Sequence, residues 1–287
     1  MTAASLLIDG HVHFHPCFEL EGFLDGAADH FANAGGKLAP SPALGCLLFS
    51  ESAWYDYFQQ FADGLIARTT RRWSTRSTGE AGSLLATRDG QPRLVLAAGR
   101  QVVTAENLEV LALGCTDHFD DGQPIEKVLE TALARGAITV VPWGFGKWWG
   151  RRGRVVQRLL ESPHAERLHL GDNAGRPAHS PAPHFFEWAR RRGVPVLPGS
   201  DPLPFAWQGA FAGRYGFVLN GIDPHRPVHS IKAALEANRT QPAIFGQRQN
   251  VVVFVRSQVG MQLRKAVGGR SGGGSGGGSR AAGGQTS

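Results

Sequence analysis

The sequence predicts a distorted, seven-stranded (β/α) barrel over residues 1–262, followed by a disordered Gly/Ser-rich tail over 263–287. Three observations carry that expectation. Helix and strand patterns alternate between residues 125 and 200, which implies parallel strands. The chain has 287 residues, 42% of them hydrophobic, and a single barrel of about 250 residues fits that length. A His-x-His pair closes the first apolar run, at the strand end where parallel barrels place reactive groups.

The elements follow in order. Leu6, Leu7 and Ile8 read as a first strand that runs into Asp9-Gly10-His11-Val12-His13-Phe14-His15-Pro16. A strand turns successive side chains to opposite faces, so His11 and His13 project from the same one. Leu44–Phe49 reads as a second strand and Leu94–Ala98 as a third. Between them, Trp73 to Gln91 is rich in Ser, Thr, Gly and Arg and reads as an irregular insertion. Ile125–Arg135 places Ile125, Val128, Leu129, Ala132 and Leu133 at helical spacing and stops at Gly136.

Ala137–Val141 then reads as a buried strand. Arg154–Leu160 is a helix followed by a strand at Arg167–Gly171, and His184–Arg192 a helix followed by Val194–Leu197. Phe217–Leu219 and Val251–Val255 read as later strands, with a helix at Ile231–Ala237 between them. From Gly268 to Ser287, ten of 20 residues are glycine and none is a large apolar residue, so ordering that segment would bury nothing.

Composition narrows the function classes. No apolar stretch approaches the roughly 18 residues that span a membrane. Met1-Thr2-Ala3-Ala4-Ser5 lacks the basic start and long apolar core of a signal peptide, so the chain reads as cytoplasmic. Cys17, Cys46 and Cys115 are odd in number and widely spaced, which indicates neither a disulfide framework nor a zinc knuckle. The net charge is +6, but residues 264–287 carry four cations and no acid, leaving 26 basic against 24 acidic residues in the body. A nearly neutral body does not call for a nucleic-acid partner. Arg190, Arg191 and Arg192 lie at a helix end, where cations oppose the negative pole.

The predicted strand ends supply a short list of reactive groups: His11 and His13, Ser50-Glu51-Ser52, Gly99-Arg100-Gln101, Trp143 to Trp148 with Lys147, Asp172 to Arg176, and Gly199-Ser200-Asp201. Two imidazoles on a rigid element make half of a divalent-metal site. Arg100, Lys147 and Arg176, at neighbouring strand ends, could clamp a small anionic substrate, a phosphate or a carboxylate. Asp172-Asn173-Ala174-Gly175 reads equally as a turn or as part of a site. His15, His118 and His169 read as structural, and Trp143, Trp148 and Trp149 as wall packing rather than a base-stacking platform.

This order of elements resembles the PHP (polymerase and histidinol phosphatase) domain family over most of residues 6–222. The family's opening His-x-His is matched by His11 and His13, and its closing Gly-Ser-Asp by Gly199-Ser200-Asp201. Its Thr-Asp-His element falls on Ser50-Glu51-Ser52, its Gly-x-Glu on Gly99-Arg100-Gln101, and its His-Pro-Gly-like element on Pro142-Trp143-Gly144. Most of the family's trinuclear ligands are therefore absent. The resemblance implies a metal site of His11, His13, Asp201 and Glu51 holding one divalent ion (Zn, Mn or Fe), with Asp201 as ligand or general base. It does not carry over to Gln101, Val110, Leu111 or Trp143. The expected function is metal-dependent hydrolysis, of phosphoesterase or amidohydrolase type, of a small and possibly phosphorylated anion. The alternative is a degenerate barrel that binds or regulates without catalysis.

Overall fold

The computed structural model describes residues 4–38 and 44–271. In chain order the elements are β1 (Ala4–Val12), α1 (Leu20–Leu38), β2 (Leu44–Phe49), α2 (Tyr57–Ala62), α3 (Leu65–Thr69), β3 (Trp73–Ser77), β4 (Ser83–Arg88), β5 (Gln91–Ala97), β6 (Gly99–Val103) and β7 (Glu109–Leu113). There follow α4 (Ile125–Ala134), β8 (Ile138–Pro142), α5 (Arg151–Glu161), β9 (Leu168–Asn173), α6 (His184–Arg191), β10 (Val196–Gly199), β11 (Tyr215–Ile222), α7 (Pro227–Ala237), β12 (Ala243–Gly246) and α8 (Val251–Ser271).

The expected (β/α) barrel is not what the chain builds. The strands form two mixed sheets, β12-β11-β1-β2-β5-β4-β3 and β10-β9-β8-β7-β6, and neither closes. Among the named strands of the described residues, parallel pairs are β1-β2, β2-β5, β8-β9 and β9-β10. A parallel barrel needs a crossover between every pair of neighbouring strands. Here β3-β4-β5 and β6-β7-β8 pair antiparallel, and β11 runs antiparallel to both β1 and β12.

Much of this departure lies in the segment read as an irregular insertion. Trp73 to Gln91 is a hairpin that continues into β5. Its polar residues occupy the exposed positions of β3, while β4 turns Leu84, Leu85 and Ala86 inward. Asp89 and Gly90 both take positive φ, 52° and 76°, the signature of a two-residue type I′ turn. That Asp-Gly pair was the legible signal.

Val251–Val255, read as a strand for its β-branched run, is instead the first turn of α8. Asn250 accepts from Val253 N at 2.9 Å and so caps the helix, which outweighs the propensity of the valines. The helix continues to Ser271, and the rest of the tail expected over 263–287 lies outside the described residues. Among the described residues no helix is long and apolar enough to cross a membrane.

The helices and strands expected between 125 and 200 form at nearly the expected places, because each buries one regular face. Val128, Leu129 and Ala132 of α4, Val155, Val156 and Leu159 of α5 and Phe185, Phe186 and Ala189 of α6 pack against the outer face of the five-stranded sheet. A second layer sets Leu24, Ala27 and Phe31 of α1 against Leu7, Leu47 and Leu96. Between the sheets, Leu6, Ile8, Cys46, Leu48 and Val95 meet Leu111, Leu113, Val140 and Leu197. The central strands are thus buried on both faces, which explains their near-continuous apolar runs.

Candidate metal centre

The two sheets meet at one end, and the site lies there. Asp201 N donates to His11 O at 2.8 Å, tying the loop after β10 to β1. On the other side, Glu51 at the end of β2 bridges Arg100 of β6. Asp9 reinforces the first junction. Its buried carboxylate accepts from Ser200 N at 2.7 Å, Gly213 N at 2.8 Å and His11 N at 3.3 Å. Burial raises the Asp9 carboxyl to about 7 against the pull of those hydrogen bonds. Asp9 was not among the expected site residues, although it stands directly before the Gly-His-x-His element.

Simple alternation alone does not aim the histidines. Leu7 faces the α1 layer, and continued alternation would send His11 and His13 the same way. The register of β1 against β2 shifts between Asp9 and Val12, so that Val12 and Phe14 face that layer instead. His11 and His13 consequently turn to the side where the sheets meet. A bulge next to a site often re-aims a side chain in this way.

The result is a compact donor group of His11, His13 and Asp201. His11 Nε2 and His13 Nε2 are 3.0 Å apart, and Asp201 Oδ1 stands 3.7 and 3.6 Å from them. In the plane of these three atoms, the point equidistant from them lies about 2.0 Å from each, close to a zinc–imidazole bond length. Two nitrogens and one carboxylate oxygen at this spacing could hold a metal ion.

The electrostatics suit ligation. Burial, with His11 beside it, lowers His13 to about 3, so its imidazole is neutral at pH 7 and keeps a free lone pair. Burial alone would raise Asp201, but His11, His13 and Lys147 outweigh it and hold the carboxyl below its ordinary range. Asp201 also sits at a φ of 45°, a strained conformation for a residue with a side chain. Its second oxygen, Oδ2, accepts from Asn173 Nδ2 at 2.9 Å.

Glu51, expected as a ligand, turns away from this group. It is buried, accepts from Tyr57 N and Phe58 N at the start of α2, and lies 3.5 Å from Arg100. Burial pushes its carboxyl up to about 7, with Arg100 pulling the other way. Gln101, which the resemblance did not favour, does reach the site, its Oε1 lying 3.3 Å from His11 Nε2. His15 hydrogen-bonds to Pro202 O at 3.1 Å, stacks on His13, and is not part of the donor group.

The three cations expected to clamp an anion each have an acidic partner. Arg100 pairs with Glu51 and with Asp56 at 3.1 Å. Lys147 pairs with Glu109. Arg176 forms a buried two-pronged contact with Asp172 at 2.8 and 2.7 Å, and Tyr215 hydroxyl donates to the same carboxylate. The Asp172–Arg176 turn is therefore divided: Asp172 serves packing, and Asn173 serves the site. His169 is structural, bonded to Thr139 O and facing Arg239. Of the tryptophans, Trp148 is buried and Trp149 is 67% exposed.

No protein-family model matches the chain, and no curated protein does either. Among solved structures, the chain is similar to PsfC from Pseudomonas syringae PB-5123 at 15% identity and a TM-score of 0.56, over 91% of this chain and 99% of that one. At that identity the likeness concerns the fold. The lesion-specific endonuclease PfuEndoQ from Pyrococcus furiosus matches at 10% identity and a TM-score of 0.48, over 82% of this chain and 56% of that one. Endonuclease Q in complex with a 27-mer duplex substrate carrying an abasic lesion matches at 11% identity, also at 0.48, over 82% of this chain and 57% of that one. This chain thus spans little more than half the length of those endonuclease chains.

Proposed function

We propose that the protein is a metal-dependent hydrolase, with His11, His13 and Asp201 holding one divalent ion, zinc, manganese or iron. The reading rests on the triangle formed by His11 Nε2, His13 Nε2 and Asp201 Oδ1. We extend the PHP kinship to the two elements that build it, His11-Val12-His13 and Gly199-Ser200-Asp201.

A divalent ion bound there supplies Lewis acidity and lowers the pKa of a coordinated water from about 16 towards 7. The chain's own groups prepare for this. Burial keeps His13 neutral, so one ring nitrogen is free to ligate. Asp201 stays ionised: its Oδ1 would hold the ion, while Oδ2, which accepts from Asn173 Nδ2, would be the atom to take a proton from water. With Arg100, Lys147 and Arg176 all paired to acids, an anionic group of the substrate would be met by the ion itself.

Glu51 being engaged elsewhere favours a second reading, a binding or regulatory protein that retains a metal without turnover. Metal analysis of the full chain after exposure to zinc, manganese or iron separates the cases, together with assays on p-nitrophenyl phosphate and p-nitrophenyl acetate. One ion per chain, lost in a His11→Ala, His13→Ala variant together with hydrolysis, supports the hydrolase. An ion without turnover supports the second reading, and no retained ion removes both.

A further inference from the structure

The positive charge of the chain is gathered at one end. All 24 Asp and Glu residues precede Ala237, and seven of the 30 Lys and Arg residues follow it. Residues 1–236 therefore carry a net −1 and residues 237–287 a net +7. Within that basic part, α8 carries Arg256, Arg264, Lys265 and Arg270. Arg256 lies over the Trp207 ring at 4.3 Å and Arg264 over Phe205 at 5.0 Å, partners that hold a guanidinium without cancelling its charge.

α8 is apolar on two sides. Phe254, Ser257 and Met261 face inward, lining a chamber with Asp201 and Asn173. Val251, Val252, Val255, Val259 and Leu263 point outward, each more than half exposed. At roughly 100° per residue these five fall within an arc of about 120°. The patch continues past the helix. Phe145 packs its ring against Phe254 and Trp149, at 5.4 Å in both cases, and Phe145 and Trp149 are themselves more than half exposed. Arg151 and Arg154 are exposed shortly after Trp149, at the start of α5. Large apolar side chains left in water beside so many cations mark a binding surface.

Charge decides among the occupants. A second copy would bring one strongly positive segment against another, which is repulsive. A nucleic acid would meet the cations and leave the aliphatic stripe in water. An anionic bilayer surface suits both, taking up the apolar side chains below its headgroups and attracting the cations at their level. We propose that the outer face of α8, with Phe145 and Trp149, docks the protein onto anionic lipid. Attachment is peripheral, since among the described residues no helix is long and apolar enough to cross a membrane. The docking face excludes the metal ligands and does not depend on the hydrolase reading.

The test floats the full chain with vesicles of phosphatidylcholine alone or of an equal mixture of phosphatidylglycerol and phosphatidylcholine. The chain should float with the mixed vesicles, partition about tenfold less onto phosphatidylcholine alone, and detach as salt is raised. Val252→Glu together with Val259→Glu should lower partitioning onto mixed vesicles by about tenfold, with metal content and circular dichroism unchanged. Should that variant fail to fold, brominated phosphatidylglycerol must quench the tryptophan emission of the natural chain, and Trp149→Phe must reduce the quenching. Equal partitioning onto both vesicle types or undiminished partitioning of the valine variant overturns the proposal. Absence of flotation overturns it too, and retention on a DNA column would then assign the cations to nucleic acid. A dimer in lipid-free sedimentation that the valine variant abolishes would give the face to a second copy instead.

Discussion

Asn173 Nδ2 grips Asp201 Oδ2 at 2.9 Å, while the other oxygen of the same carboxylate faces His11 and His13 at 3.7 and 3.6 Å. One oxygen is spent on orientation so that the other is aimed. Partners that orient a ligand in this way typically contribute about 10–100-fold in metal affinity. Asn173→Ala should therefore weaken zinc binding by roughly that factor, measured by competition with a chromogenic chelator, while the circular dichroism spectrum is retained. Undiminished affinity would mean that the β-strand geometry alone sets the carboxylate.

Arg176 offers a sharp contrast between packing and recognition. Its guanidinium and Asp172 are both more than nine-tenths buried, and Tyr215 completes the cluster. Removing one member of such a pair leaves a buried charge without its partner, at a cost of about 3–5 kcal/mol. Arg176→Met should lower the urea midpoint accordingly and leave metal content untouched. A stable Arg176→Met protein that had lost affinity for phosphate would restore Arg176 as an anion clamp.

His169 makes stability depend on acidity. Burial, with Arg239 facing it, lowers its pKa from 6.5 to about 4. Between those values the unfolded chain binds the proton and the folded chain does not, so stability rises with pH and is lost as pH falls from 6.5 towards 4. This one group should account for about 2 kcal/mol between pH 7 and pH 5. His169→Gln cannot titrate, so its urea-derived stability should fall less over that interval by the same amount. Parallel curves for the two proteins would place the acid sensitivity elsewhere.

Gly199 ends β10 where it presses on β1. A Cβ added there would collide with His11 N and Cβ. Gly199→Ala should cost about 1–3 kcal/mol through overpacking. It should also separate Asp201 from the imidazoles, lowering zinc affinity more than thermal stability alone explains. Wild-type metal binding in this variant would show that the strand spacing is not critical.

Local order was readable in the sequence wherever one rule governed a segment. β2 forms at Leu44–Phe49 as expected, and α4 starts at Ile125 and ends before Gly136, which takes a φ of 77°. His11, His13 and Asp201 were legible because their residue types are costly to bury and rarely cluster without chemical purpose. The rest needed tertiary information. The bulge that rotates His11 and His13 follows from pairing between β1 and β2, which no single segment encodes. Glu51 could be recognised as an acid at a strand end, but its capture by the start of α2 depends on the path of the following loop. The barrel expectation failed for a related reason: the αβ rhythm of residues 125–200 was extended over hairpins whose only mark was Asp89-Gly90.

The donor triangle straddles a seam. His11 lies in β1 of the seven-stranded sheet and His13 just after it, while Asp201 follows β10 of the other sheet. An ion captured there would act as a cross-link between two halves of the molecule, so cation uptake and resistance to heating should rise together. Conversely, anything that pried the halves apart would release the ion before the chain unravelled.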